Sequence, residues 1–257
     1  MPDILPHVEV ALRSDVGRTR NHNEDSMTSV VPEDPAVLAS KGILLLVADG
    51  MGGHAKGEVA SKLAVETIPQ AYYQDEGEDP AEALKQAIQN ANAAIYQQVS
   101  NEESINSRAG MGTTCIAVAL HGDTAYAANV GDSRAYIIRN GEVLRLSQDH
   151  SWVAEQVRAG IITEKQASVH PQRNVITRAL GIYPNVEIDL LTEKIQPNDV
   201  FLLCSDGLSN LVSSDELRAI LEEHEPQESA QRLIDCANAH GGLDNITAVV
   251  ARVSSLD

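Results

Sequence analysis

Aromatic residues are nearly missing from this chain: Phe, Trp and Tyr make up 3% of its 257 residues, although hydrophobic residues reach 43%. The core must therefore be assembled from Ala, Val, Ile and Leu. Positive charge is scarce too, with 19 Lys and Arg against 37 Asp and Glu and a formal net charge of -18. A field of that sign repels nucleic acid and anionic lipid out to roughly a Debye length, about 8–10 Å, so the expectation is no nucleic-acid partner and no membrane partner. The three cysteines, Cys115, Cys204 and Cys236, form no close pair. An odd number in apolar contexts reads as free thiols in a reducing compartment and lends little support to zinc or thiolate chemistry. Nor is there a run of about 18 apolar residues, or a basic segment leading into an apolar one at the start of the chain. The expectation is a soluble, cytoplasmic protein. No linker-like stretch divides the chain, so residues 1–257 are read as one domain.

What is present is a series of short apolar runs. Strands are expected near Val8–Arg13, Ile43–Ala48, Thr114–Leu120, Thr124–Val130, Ala135–Arg139, Val143–Leu146, Val186–Leu191, Val200–Cys204 and Ile246–Val253. Asn140-Gly141 lies between two of them and marks a tight antiparallel hairpin, since both residues tolerate positive φ. Helices are expected over Gly57–Tyr73, Pro80–Val99, Trp152–Ala159, Thr163–Ala167, Ser214–Glu223 and Gln227–Ala239. Asp79 before Pro80 makes an N-cap and first-turn pair, and Thr163 with Gln166 and Ser213 with Glu216 have the capping-box spacing. Gly241 is placed to end the last helix. Strands, two helices, a run of hairpins and then mixed elements suit an α+β layered fold rather than a regular βαβ alternation.

Acidic residues recur at the ends of these apolar runs. Asp49 follows ILLLVA, Asp132 follows AYAANVG, Asp206 follows FLLCS, and Asp244 precedes NITAVVARV; Glu24 and Asp25 come after the first strand and the turn at Asp15-Val16-Gly17. If the same ends of these strands share one edge, the carboxylates converge. Crowded carboxylates raise one another's pKa and cost stability unless a cation neutralises them. Carboxylates and a backbone carbonyl are hard oxygen donors, which indicates Mg or Mn. Any single Asp-Gly after a strand is first of all a turn signal; the chemistry lies in several of them together.

The segments Arg20-Asn21-His22-Asn23-Glu24-Asp25, Ala48-Asp49-Gly50-Met51-Gly52-Gly53-His54, Gly112-Thr113-Thr114, Asn129-Val130-Gly131-Asp132-Ser133-Arg134, Cys204-Ser205-Asp206-Gly207-Leu208 and Asp244-Asn245-Ile246-Thr247 resemble, in order, the motif set of the 2C-type (PPM) protein phosphatases. The stretch from Gln172 to Gly181 is similar to the bacterial branch. The resemblance implies a four-layer α-β-β-α sandwich with two mostly antiparallel sheets and a two-metal site at one edge, with Mn or Mg as the ions. Asp49 would bridge the metals, the Gly50 carbonyl would ligate the second with Glu24 near it, Asp206 and Asp244 would hold the first, and Asp132 with Asp206 matches a weaker third position. Arg20 resembles the arginine that grips the substrate phosphate, a role suited to its planar donor fork, and Asp25 is placed to orient the attacking water. The implied reaction is hydrolysis of phosphoserine and phosphothreonine in proteins by metal-activated water, without a phosphoenzyme. The implied partners are phosphorylated proteins and a cognate Ser/Thr kinase, and the chain is expected to be a monomer. A segment over about 154–175 resembles the family's flap beside the active site.

One departure concerns the general acid. Met51 stands where many eukaryotic relatives carry a His, so that role is left unassigned, with His54 three residues on. Cys204 and Ser205 beside Asp206 read as core packing rather than as a covalent nucleophile, because no His or Lys partner is implied by spacing. Gly50-x-Gly52-x-x-Ala55 meets the dinucleotide-binding fingerprint, but the second strand and its acidic end are missing about 20 residues on. The other reading is a non-catalytic relative that binds phosphoproteins or a regulatory partner; every ligand position that can be matched is filled, which counts against it.

Overall fold

The computed structural model describes residues 6–52, 55–101 and 111–256. The strands are β1 (Pro6–Asp15), β2 (Asp25–Val30), β3 (Ile43–Met51), β4 (Gly112–Thr113), β5 (Cys115–His121), β6 (Thr124–Val130), β7 (Arg134–Arg139), β8 (Glu142–Arg145), β9 (Asp189–Lys194), β10 (Val200–Cys204) and β11 (Ile246–Leu256). The helices are α1 (Pro35–Lys41), α2 (Ala55–Gln74), α3 (Pro80–Asn101), α4 (Trp152–Arg158), α5 (Glu164–Ser168), α6 (Asp206–Ser209), α7 (Ser214–Glu223) and α8 (Pro226–Ala239). One sheet has the order β1-β11-β10-β7-β8 and the other β2-β3-β5-β6-β9, with β4 paired to β3. Every pairing is antiparallel.

The continuous apolar runs are explained by burial on both faces. Side chains alternate along a strand: Ile43, Leu45 and Val47 of β3 meet Phe201, Leu203, Val249 and Ala251 between the sheets. Leu44, Leu46 and Ala48 face outward onto Ala64, Ile68, Leu84 and Ile88 of α2 and α3. The other sheet repeats the scheme, with Leu202, Cys204, Ala248 and Val250 packed on Leu217, Leu221, Leu233 and Ile234 of α7 and α8. The result is helices, sheet, sheet, helices, the layering that the motifs imply. With so few aromatics, Phe201 and Tyr72 are the largest fully buried side chains, and short aliphatics fill the rest.

Local signals act where expected. Both capping boxes form, Thr163 with Gln166 and Ser213 with Glu216. Asp79 accepts from the Ala81 amide at 2.9 Å, and Asn140 and Gly141 turn the β7–β8 hairpin with φ of 51° and 81°. Several elements differ from expectation, among them the short β4 and α6, which the sequence patterns do not predict. The strand expected at Val186–Leu191 forms at Asp189–Lys194, because its ladder partner β6 ends at Val130: pairing runs from Asp189 opposite Asn129 to Lys194 opposite Thr124. β2 was not anticipated: DSMTSV is weakly apolar, and as an edge strand it pairs only with β3. The short α1 begins at Asp34-Pro35, a cap and first-turn pair, where Asp34 accepts from the Ala36 amide at 2.9 Å.

Candidate metal centre

Antiparallel pairing decides which strand ends meet. The start of β2 lies beside the end of β3, with Asp25 opposite Asp49. The end of β10 lies beside the start of β11, with Cys204 opposite Ala248, so Asp206 just past one strand and Asp244 just before the other share an edge. Asp132 sits in the turn from β6 to β7, where the chain crosses from one sheet to the other. The sequence-selected acids are thereby gathered at one rim of the sandwich.

Backbone hydrogen bonds hold Asp49 in place. Its amide donates to Thr114 Oγ1 at 2.9 Å, and its carbonyl accepts from the Thr114 amide and from Thr113 Oγ1, each at 2.9 Å. Thr114 Oγ1 also lies 2.7 Å from Ser133 Oγ, tying the Asp49 strand to the Asp132 turn. The Gly50 amide donates to the Glu24 carbonyl at 3.1 Å. A Cβ at Gly50 would stand 2.2 Å from the Gly57 carbonyl oxygen and 2.5 Å from that of Glu24, so no other residue allows this approach. The Glu24 amide in turn donates to Asn245 Oδ1 at 2.8 Å, while Asn245 Nδ2 donates to the carbonyls of Val16 and His22. Asn245 thus pins the Glu24 segment beside Asp244. Gly207 admits this asparagine for the same kind of reason, since a Cβ there would lie 2.0 Å from the Asn245 carbonyl oxygen.

The electrostatics are those of negative charges held together. Desolvation, followed by the charges of Asp25, Asp206, Asp132 and Asp244, raises Asp49 well above the usual carboxylate range. Burial likewise pushes Asp25 up to about 7, against hydrogen bonds from Thr247 and Ser205 that favour its ionised form. Asp132 rises to about 8 and Asp206 to about 6, each by desolvation first. Two buried carboxylate oxygens, Asp25 Oδ1 and Asp132 Oδ1, have no hydrogen-bond partner among the described residues. An unpartnered buried acceptor is costly, and here each belongs to an all-oxygen donor set suited to a hard divalent cation. The residues fit Mn or Mg.

Arg20 brings positive charge to this rim. Its side chain is 50% exposed, and its guanidinium donates to Asp244 Oδ2 at 2.8 Å. Beside the acids opens a cavity of about 760 Å³, lined on one side by Asp132, Arg134 and Asp206 and on the other by Val157, Arg158 and Arg173. The far wall is the segment resembling a flap. It contains α4 and α5, and its ends are joined where the Trp152 amide donates to the Val175 carbonyl at 2.8 Å and Ser151 pairs with Ile176.

Several residues of the site had no role assigned from sequence. Ser205 is not idle packing: its Oγ donates to Asp25 Oδ2 at 2.7 Å, and Thr247 Oγ1 does the same at 2.6 Å. Cys204 does belong to the core, and burial raises its thiol to about 12. His150 is buried; its Nδ1 accepts from the Gly131 amide at 3.1 Å and its Nε2 faces Asp189 at 3.1 Å, so it braces the turn that carries Asp132. Asn245 and Thr247 lie within a quoted motif, which was the available signal; His150 had none. His54 lies outside the described residues.

Known proteins resemble this chain in sequence and fold. A family model described as protein phosphatase 2C matches residues 18–240. The serine/threonine phosphatase stp of Listeria innocua is 39% identical over 243 residues, 93% of each chain. The crystal structure of the Mycobacterium tuberculosis serine/threonine phosphatase PstP/Ppp superposes with a TM-score of 0.85 at 39% identity, covering 96% of this chain and 99% of that one. The catalytic domain of PstP in complex with two manganese ions has a TM-score of 0.82 at 37% identity, covering 96% and 99%.

Proposed function

This chain belongs to the protein phosphatase 2C family and is a metal-dependent protein serine/threonine phosphatase, and from that premise we propose how its own residues divide the work. The observation that carries the reading is the convergence of Asp25, Asp49, Asp132, Asp206 and Asp244 on one edge, with unpartnered oxygens on Asp25 and Asp132. Asp49, the Gly50 carbonyl, Asp206 and Asp244 hold two divalent cations, with Glu24 near the second; Asp132 and Asp206 offer a weaker third position. Mn and Mg both suit these oxygen ligands. Bound there, such ions lower the pKa of water and stabilise charge on a phosphoryl group.

The remaining steps belong to side chains. Arg20 has donors to spare beyond the one on Asp244 and faces solvent at the mouth of the site, so it binds the substrate phosphate and orients it. Asp25 is held on one oxygen by Ser205 and Thr247, and its other oxygen orients the attacking water. Ser205 does not serve as a nucleophile, because its hydroxyl is buried and committed to Asp25. The substrate chain lies in the cavity between the acids and the segment over 154–175, which we read as a flap within one catalytic domain spanning the chain. Phosphoproteins made by a cognate Ser/Thr kinase are the substrates, and the protein acts as a cytoplasmic monomer. Among the described residues no helix is long and apolar enough to cross a membrane.

The test is phosphate release from a phosphothreonine peptide by metal-stripped protein, with and without added Mn or Mg. Hydrolysis that requires the metal and stops with a chelator is expected. A folded protein with no hydrolysis under either metal would refute the reading and favour a phosphoprotein-binding relative.

A further inference from the structure

Between the start of α7 and the C-terminal end of α8, three side chains of different chemistry meet. Cys236 and His240 are four residues apart along α8 and its C-terminal cap, so they lie on one helix face. Glu216 comes to them from the first turn of α7. Cys236 Sγ is 3.7 Å and His240 Nε2 is 3.4 Å from Glu216 Oε1, and the candidate ligand atoms all lie within 4.8 Å of one another.

Each group is already oriented. The other oxygen of Glu216, Oε2, accepts from the Ser213 amide at 2.9 Å and from Ser213 Oγ at 2.7 Å as part of the capping box, which leaves Oε1 directed at the Cys–His pair. His240 Nδ1 lies 2.9 Å from the Leu211 carbonyl oxygen, which can only accept, so Nδ1 carries a hydrogen. In the neutral ring, Nε2 then presents a lone pair to a carboxylate oxygen, and a proton or a cation must bridge them. A backbone carbonyl fixing one imidazole nitrogen while the other ligates is the usual outer support of a metal-binding His.

We propose that Glu216, Cys236 and His240 form a second cation site, for a borderline-soft divalent ion such as Zn²⁺, with water completing a tetrahedron. The two edges that meet at Glu216 Oε1, 3.7 and 3.4 Å, match that ion: with its usual bond lengths, tetrahedral edges are about 3.6 Å between sulfur and oxygen and about 3.4 Å between oxygen and nitrogen. The donor set also separates this site from the carboxylate centre, because thiolate and imidazole select zinc or cobalt over Mn and Mg. Binding deprotonates the thiol and releases that proton to solvent. The spacing of the three cysteines in sequence argues against zinc; the pairing of α7 with α8 supplies the missing ligand. The site also lies at the start of the His240–Asp244 turn, where the Gly242 carbonyl accepts from the Arg18 amide at 2.7 Å, so an ion here would fasten the segment leading to Asp244.

The experiment is a titration of reduced, metal-stripped protein with Co²⁺, followed by the thiolate-to-cobalt charge-transfer absorption. Cobalt at the carboxylate centre has only oxygen ligands and gives no such band, and Cys115 and Cys204 are fully buried. A band that saturates with a single ion, is displaced by Zn²⁺ and is absent in Cys236→Ser is expected. Zinc affinity should fall by more than about 100-fold in that variant, since losing even an outer partner of a ligand costs about 10–100-fold. Mn-dependent hydrolysis by Cys236→Ser should be unchanged. No charge-transfer band in the parent protein, or a band that survives in Cys236→Ser, overturns the proposal. Should Cys236→Ser fail to fold, His240→Gln answers the same question: a band of undiminished affinity there also overturns it.

Discussion

Replacing Asp25 by Asn should stabilise the protein when divalent cations are removed while destroying its activity. In the native chain, burial raises this carboxyl from 3.8 to about 7. Below the unfolded value both states carry the proton and nothing is lost. As pH rises the unfolded chain ionises first, the folded state holds more protons, and stability falls until pH passes the folded value. At about 1.36 kcal/mol per pH unit, the loss from Asp25 approaches about 4 kcal/mol above pH 7. Asn has no charge to desolvate and keeps an acceptor for Ser205 and Thr247, but its amide protons need partners where Oδ1 has none, which returns about 1–3 kcal/mol. A net gain of about 2 kcal/mol corresponds to a rise in Tm of about 4–8 °C.

The assay is thermal unfolding of both proteins in chelator across a pH series. Near pH 4 the variant should be no more stable than the parent, and less stable by as much as the unpartnered amide costs, about 1–3 kcal/mol; it should overtake the parent towards about pH 8, where native Asp25 is charged in both states. Added Mn should narrow the gap, because nearby dications favour the charged carboxylate that the variant lacks. Phosphopeptide hydrolysis by the variant should be lost even with Mn present, as expected of a group that orients water. A variant no more stable than the parent at about pH 8, or a difference independent of pH, would refute the account of crowded carboxylates.

Asp49→Ala and Asp206→Ala should each lose at least about a thousandfold in kcat with circular dichroism unchanged; retained activity in either would remove that residue from the metal set. Arg20→Ala should lower kcat/KM for a phosphopeptide by about 10–100-fold, the worth of a charged hydrogen bond, so an unchanged kcat/KM would exclude Arg20 from phosphate binding. Ser205→Ala removes a donor that favours ionised Asp25 and should move the acid limb of the pH–rate profile upward by about 1–2 pH units; an unmoved limb would mean that Asp25 does not control it.

Much of this protein was decided locally. Strands such as Ile43–Ala48 and Val200–Cys204 are apolar at every position because both faces are covered, and that pattern is readable without any partner. Capping at Asp79, Thr163 and Ser213 depends on residues within three positions, so it too is written along the chain. Motif order pointed to the family, and the placement of Asp49, Asp132, Asp206 and Asp244 at strand ends pointed to the acids proposed for the site. Tertiary structure decided what depends on neighbours distant in sequence. Whether β9 begins at Val186 or Asp189 turned on where its partner β6 ends, about 60 residues earlier in the chain. Whether Ser205 is filler or a donor turned on Asp25, 180 residues away. His150 bracing the Asp132 turn, Asn245 fastening the Glu24 segment and Glu216 meeting Cys236 and His240 are likewise contacts between elements. A sequence states which groups a chain owns and which local shapes it favours; hydrogen-bond partners across a sheet edge or between helices exist only once packing has brought them within about 3 Å.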